Sequence, residues 1–150
     1  MAQTLTKLLV HIVFSTKDRE PLITDAVAPE LYLYLAGIGR NHESPVLAAG
    51  GVADHVHLLV SQSKNIAVAT LLQHLKKDSS RWIKTKSASL KGFAWQEGYG
   101  AFTIGESQVP ALTRYIENQS DHHRDASFQD EFRALLRKYR VGFDERYVWR

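Results

Sequence analysis

Two histidines separated by one residue, His55-Val56-His57, lie in a stretch over 55–61 where residue character alternates. Side chains two apart on a strand point the same way. His55 and His57 therefore project together, with Val56, Leu58 and Val60 on the opposite face. Two imidazoles converging from one strand suit a divalent metal ion. The plainer alternative is a pair of histidines hydrogen-bonded at a sheet surface. Two ligands do not complete a metal site, so a third donor must come from elsewhere. His11, on the more polar side of an earlier strand, is placed to join the pair.

A second group lies on a helix predicted over 107–122, with Ser107 as its cap and Pro110 in its first turn. Tyr115 and Gln119 are one turn apart on it and share a face. Asn118 and His122 fall close to that face, beside the apolar Leu112 and Ile116. A tyrosine at helical spacing is ordinarily packing, but the amide oxygen of Gln119 can supply the missing donor. Two nitrogens and one oxygen, with open positions for phosphate oxygens and water, suit Mg²⁺ or Mn²⁺ better than a closed zinc site. Tyr115 then stands near the ion. His122-His123 is a competing pair, although adjacent helix positions diverge by about 100° and do not readily chelate one ion together.

The elements that must position these groups follow from periodicity. Residues 5–14 alternate and predict a strand buried mostly on one side. A helix is predicted over 25–40, then strands over 45–52 and 55–61 joined by a hairpin through Ala53-Asp54. The longest periodic stretch, 66–86, is an amphipathic helix with a Leu71, Leu75, Trp82 stripe. A strand over 99–104, the tyrosine helix and a last helix over 127–139 complete the chain, and 141–150 are unassigned. This order predicts an α+β fold, ferredoxin-like (RRM-like): an antiparallel sheet with helices packed on one face, plus additional C-terminal helices. The other face is expected to stay open for a ligand.

A length of 150 residues fits one domain over 1–150 with a real core. Hydrophobic residues at 44% and charged residues at 23% exclude a disordered chain. With no cysteine, disulfides, thiolate metal sites and a cysteine nucleophile are excluded together. No apolar run suggests a membrane span, and residues 1–7 lack a signal-peptide layout, so a cytoplasmic protein without a membrane partner is expected. A net charge of +3 permits nucleic-acid binding without arguing for it. The positions matter more. Lys77, Arg81 and Lys84 share a helix face, with Lys76 nearby, and Lys17 and Arg19 follow the first strand; these can track phosphates or simply be solvated.

Four segments taken together carry a resemblance. They are His11-Ile12-Val13-Phe14-Ser15-Thr16-Lys17, Asp54-His55-Val56-His57-Leu58-Leu59-Val60, the stretch 95–100, and Tyr115-Ile116-Glu117-Asn118-Gln119. In order and spacing the chain resembles, from about residue 5 to 140, the single-tyrosine transposases of small bacterial and archaeal insertion sequences. These belong to the His-hydrophobe-His (HUH) superfamily of single-strand DNA nucleases. The resemblance implies that His55, His57 and Gln119 hold a divalent metal and that Tyr115 is the nucleophile. His11, Asn118 and His122 are candidates for a supporting shell. It further implies cleavage and rejoining of single-stranded DNA hairpins at element ends through a 5′-phosphotyrosine, by a homodimer in which Tyr115 acts on its own or its partner's histidines. Three rivals remain: a domesticated relative that processes genomic repeat hairpins, a non-catalytic single-stranded nucleic-acid-binding module, and a metal hydrolase that uses water in place of Tyr115.

Overall fold

The structure is a computed structural model and describes residues 2–124 and 126–150. Four strands form one antiparallel sheet in the order β2-β3-β1-β4, where β1 is Leu9–Ser15, β2 Val46–Val52, β3 His55–Ser61 and β4 Gly100–Ile104. Helices α1 (Ala28–Asn41) and α2 (Val68–Ile83) connect them. Three more follow: α3 (Val109–Glu117), α4 (Gln119–His122) and α5 (Phe128–Lys138). The predicted α+β, ferredoxin-like arrangement is observed.

Alternation in β1 and β3 sends two sets of side chains to two different cores. Ile12, Phe14, Val56, Leu58 and Val60 pack with Leu31 and Leu35 of α1 and Leu71, Leu72 and Leu75 of α2. The opposite face was expected to be open, and it is not. Leu9 and Leu59 meet Ile116 of α3, while Val13 and Phe102 meet Phe128, Phe132 and Leu136 of α5. β1 is accordingly buried on both sides, and the predicted one-sided burial is corrected. The C-terminal helices cover the sheet because α3 and α5 each carry an apolar stripe that needs a partner.

Two glycines permit that cover. A Cβ at Gly50 would run into the Ile116 carbonyl, so α3 can lie directly on β2. A Cβ at Gly100 would press on the Phe132 ring at 2.6 Å. The tyrosine helix differs from its predicted span: it breaks at Asn118 (φ −102°, ψ 24°) into α3 and α4. Ser107 does not cap it. Instead the Gly105 N–H donates to Gln108 Oε1 at 2.9 Å in the turn before the helix.

The tail, unassigned from sequence, folds back on α5. Arg133 makes a two-pronged ion pair with Glu145, and Trp149 packs beside Phe128 and Phe132. The Arg150 carbonyl accepts from the Gly98 N–H at 2.9 Å.

Candidate active site

His55 and His57 share a face of β3, as their spacing requires, and point into the layer between the sheet and the C-terminal helices. Both are fully buried, with His11 of β1 beside them. The register places Val13 opposite His57 and Ser15 opposite His55. The hairpin turn delivers Asp54 to the back of His55, whose Nδ1–H donates to Asp54 Oδ1 at 2.7 Å. His57 Nδ1 faces His11 Nε2 at 2.8 Å. In both histidines the Nδ1 edge is held from behind and Nε2 is turned inward.

The atom at the centre is Glu131 Oε1, from α5. It lies 2.8 Å from His57 Nε2, 3.3 Å from His55 Nε2 and 3.0 Å from His123 Nε2. The second oxygen, Oε2, accepts the Tyr115 hydroxyl, the Gln119 amide N–H at 3.2 Å, and stands 3.3 Å from His122 Nε2. Gln119 Oε1 is 3.2 Å from His55 Nε2. Tyr115, Gln119, His11, His55, His57 and His122 are thus brought together within one chain. Asn118 is not among them; it is exposed at the helix break, where its carbonyl accepts from the His122 N–H.

Sequence reasoning missed Glu131, and set His123 aside with its neighbour. A signal for Glu131 existed. Phe128, Phe132 and Leu135 define an apolar stripe of α5, and Glu131 falls inside that stripe, where an acidic residue is rarely placed without a partner. The two adjacent histidines do diverge, each going to a different oxygen of Glu131.

Burial and mutual charge set the protonation of the group. Burial would raise the Glu131 carboxyl, but hydrogen bonds from His123, His55 and His57 hold it well below the usual carboxylate range. For His55 burial works against the charged ring; the Asp54 and Glu131 bonds prevail and raise it to about 9. Burial, aided by the neighbouring His57, lowers His11 to about 3, and His57 is likewise lowered by burial. Burial and the Glu131 hydrogen bond push the Tyr115 hydroxyl above its ordinary range.

The donor chemistry fits a cation. One nitrogen from each of His55, His57 and His123 and one oxygen of Glu131 lie within 4.8 Å of one another. A cavity of about 530 Å³ opens beside this cluster, walled by Tyr115, His122, Leu112, Leu135 and Tyr139, which gives Tyr115 access to a reactant.

The basic residues divide. Lys77, Arg81, Lys84 and Lys17 are exposed, and Arg19 is half-buried with its guanidinium 5.8 Å from the Trp149 ring centre. Lys76 departs from the expectation that it faces DNA. Its ammonium donates to the carbonyls of Gln96 (2.8 Å), Glu97 (3.1 Å) and Gly98, closing the loop before β4.

A buried histidine pair on the second hairpin strand thus meets a tyrosine presented by a helix after β4, in a group of donors able to hold a metal ion. Residues 4–119 match the family described as "Transposase IS200 like", and the chain belongs to that family. It is similar to the ISDra2 transposase TnpA of Deinococcus radiodurans, with 28% identity over 120 residues, covering 77% of this chain and 86% of that one. A solved transposase structure from Deinococcus radiodurans superposes with a TM-score of 0.63 at 27% identity, covering 79% of this chain and 95% of that one. A REP-associated tyrosine transposase, solved bound to a REP hairpin, shares the fold with a TM-score of 0.60 at 13% identity, covering 82% of this chain and 73% of that one.

Proposed function

We propose that this transposase cleaves and rejoins single-stranded DNA through a 5′-phosphotyrosine on Tyr115, with a divalent metal held at His55, His57 and Gln119. The observation that carries it is the meeting of the Tyr115 hydroxyl and the histidine pair on one carboxylate. The Tyr115 oxygen attacks the scissile phosphorus, the new O–P bond forms, and the bond to the 3′-oxygen breaks to leave a 3′-OH. Splitting one displacement into two covalent steps makes the exchange reversible and conserves phosphodiester bonds. Glu131 Oε2 receives the Tyr115 hydroxyl hydrogen bond and so fixes the oxygen's direction of attack. Asp54 and His11 hold the histidine rings in place. His55, His57 and Gln119 would hold a divalent ion, which would supply Lewis-acid stabilisation of the phosphate charge. Lys77, Arg81, Lys84, Lys17 and Arg19 supply cationic surface for the DNA backbone.

Hairpin-bearing strands are the substrates to test, since a structural neighbour is bound to a hairpin. The protein is incubated with such strands and Mg²⁺ or Mn²⁺ and run on a denaturing gel. A slow protein–DNA adduct in wild type and none in Tyr115→Phe is the expected result. Cleavage that survives Tyr115→Phe replaces the reading with a water-using hydrolase, and binding without cleavage with a non-catalytic module. The reading includes a cytoplasmic homodimer, so light scattering should give about twice the 17.0 kDa chain mass. No helix among the described residues is long and apolar enough to cross a membrane.

A further inference from the structure

We infer that the groove between α2 and the loop before β4 seats an unpaired run of DNA, with Lys77 and Lys84 on its phosphates and Tyr99 as a stacking platform for a base. This rests on the reading that the substrate is single-stranded DNA. It adds a second contact, on the sheet face opposite the histidine pair.

Helical spacing makes one wall of the groove. Gln73, Lys77, Ser80 and Lys84 recur every three or four residues, so they share a face of α2 over about 16 Å. Lys77 and Lys84 are exposed, and both line a cavity of about 440 Å³; Arg81 is not part of its wall. The loop makes the other wall, and it is braced against α2. Trp95 is buried against Phe14 and Phe93, and its indole N–H donates to Ser79 Oγ of α2 at 3.0 Å. Lys76 turns its ammonium onto three carbonyls of the same loop, so it supports this wall from behind. Tyr99 follows the braced segment, is 37% exposed and lines the same cavity. A site already in shape has little ordering cost on binding.

Two features choose the occupant. Cations in a groove track a phosphate backbone, and an exposed aromatic ring beside them takes a base face. Glu97 is the one carboxylate among the lining residues. Bases stacked inside a duplex offer no free face, so the bound run is unpaired. The loop also ties the groove to the site. The Gln96 N–H donates to the Ser15 carbonyl at 2.9 Å, and the Ser15 N–H donates to Gln96 Oε1 at 2.9 Å. Ser15 lies opposite His55 in the sheet. DNA held in the groove is therefore held at a set distance from His55, and the groove helps to select which phosphate is cut.

The test uses two fluorescently labelled DNA probes, a hairpin with unpaired flanks and the same hairpin trimmed of them. Binding to the full chain is followed by anisotropy for wild type, Tyr99→Ala, Tyr99→Phe and the double variant Lys77→Ala with Lys84→Ala. Tyr99→Ala should weaken binding of the flanked strand at least about fivefold, as loss of one base–aromatic stack does, and Tyr99→Phe, which keeps the ring, should restore it. The double lysine variant should also reduce the slope of log affinity against log salt by about 1.4, while Tyr99→Ala leaves that slope unchanged. The trimmed hairpin should bind every variant alike. Equal losses on both probes would overturn the inference, because the groove would then take the stem or the variants would be damaged. Wild-type binding of the flanked strand by Tyr99→Ala and the double lysine variant would also overturn it, and a Tyr115 adduct in the same preparations would leave the phosphotyrosine reading intact. Weakened binding of the flanked strand alone, with no adduct from wild type, would keep the groove and remove that reading.

Discussion

Lys76 and Glu131 are both ionisable side chains drawn into the protein, and their surroundings differ in kind. Three carbonyls of one loop surround the Lys76 ammonium, each an acceptor facing a donor. Around Glu131 one carboxylate gathers the Tyr115 hydroxyl, the Gln119 amide and the imidazoles of His57, His123 and His55. The first cluster is finished by the chain itself and fixes a loop. The second brings several ionisable groups onto one carboxylate beside an open cavity, the combination that marks candidate functional sites. Structural and functional polar clusters can thus be told apart by how many ionisable groups they bring together where a cavity reaches them.

The largest expected effect that sharpens this contrast is at His57. His57→Ala should lower metal-dependent DNA cleavage by at least about a hundredfold in a gel assay, because losing a ligand exceeds losing a ligand's support. Asp54→Asn comes next. It removes the charge behind His55 and should weaken Mn²⁺ binding by about 10- to 100-fold in a titration. Lys76→Met, by contrast, should leave Mn²⁺ binding unchanged and lower folding stability by about 1–3 kcal/mol in denaturant melts, since it leaves carbonyls without a donor. Loss of metal binding in Lys76→Met would break the division between the two clusters.

The smallest effect is in pH, and the two clusters have opposite signs. His55 is raised from 6.5 to about 9 in the folded, metal-free chain. Its contribution is full below pH 6.5 and is lost as pH rises through 9. Burial lowers Lys76 from 10.5 to about 8. The folded state then binds fewer protons than the unfolded one between these values, so stability rises from pH 8 to 10.5. In chelator, the wild-type melting temperature minus that of His55→Ala should fall between pH 6.5 and 9. The difference from Lys76→Met should climb between pH 8 and 10.5.

The sheet was legible because strict alternation in β1 and β3 leaves one register that buries Ile12, Val56 and Leu58 together. His55, His57 and Tyr115 were legible because two-residue and one-turn spacings fix which side chains share a face. The covering of the second sheet face was not, since stripes on α3 and α5 say that a partner exists and not which surface it is. Glu131 depended on that same docking: its carboxylate meets β3 only because α5 packs over Val13 and Phe102. The break at Asn118 was hidden too, as nothing in the periodicity of 107–122 announces a change of axis.

Trp149 rests beside Phe128 and Phe132, on the helix that carries Glu131, while Trp95 is buried against Phe14 and Phe93, and Trp82 stacks on Tyr34 across α1 and α2. Trp149 packs on α5, while Trp95 and Trp82 belong to the core between the sheet, α1 and α2. The protein has its own optical gauge: a shift of α5 alters the emission of Trp149, and variants keeping only that tryptophan would let the centre be followed in real time without a label.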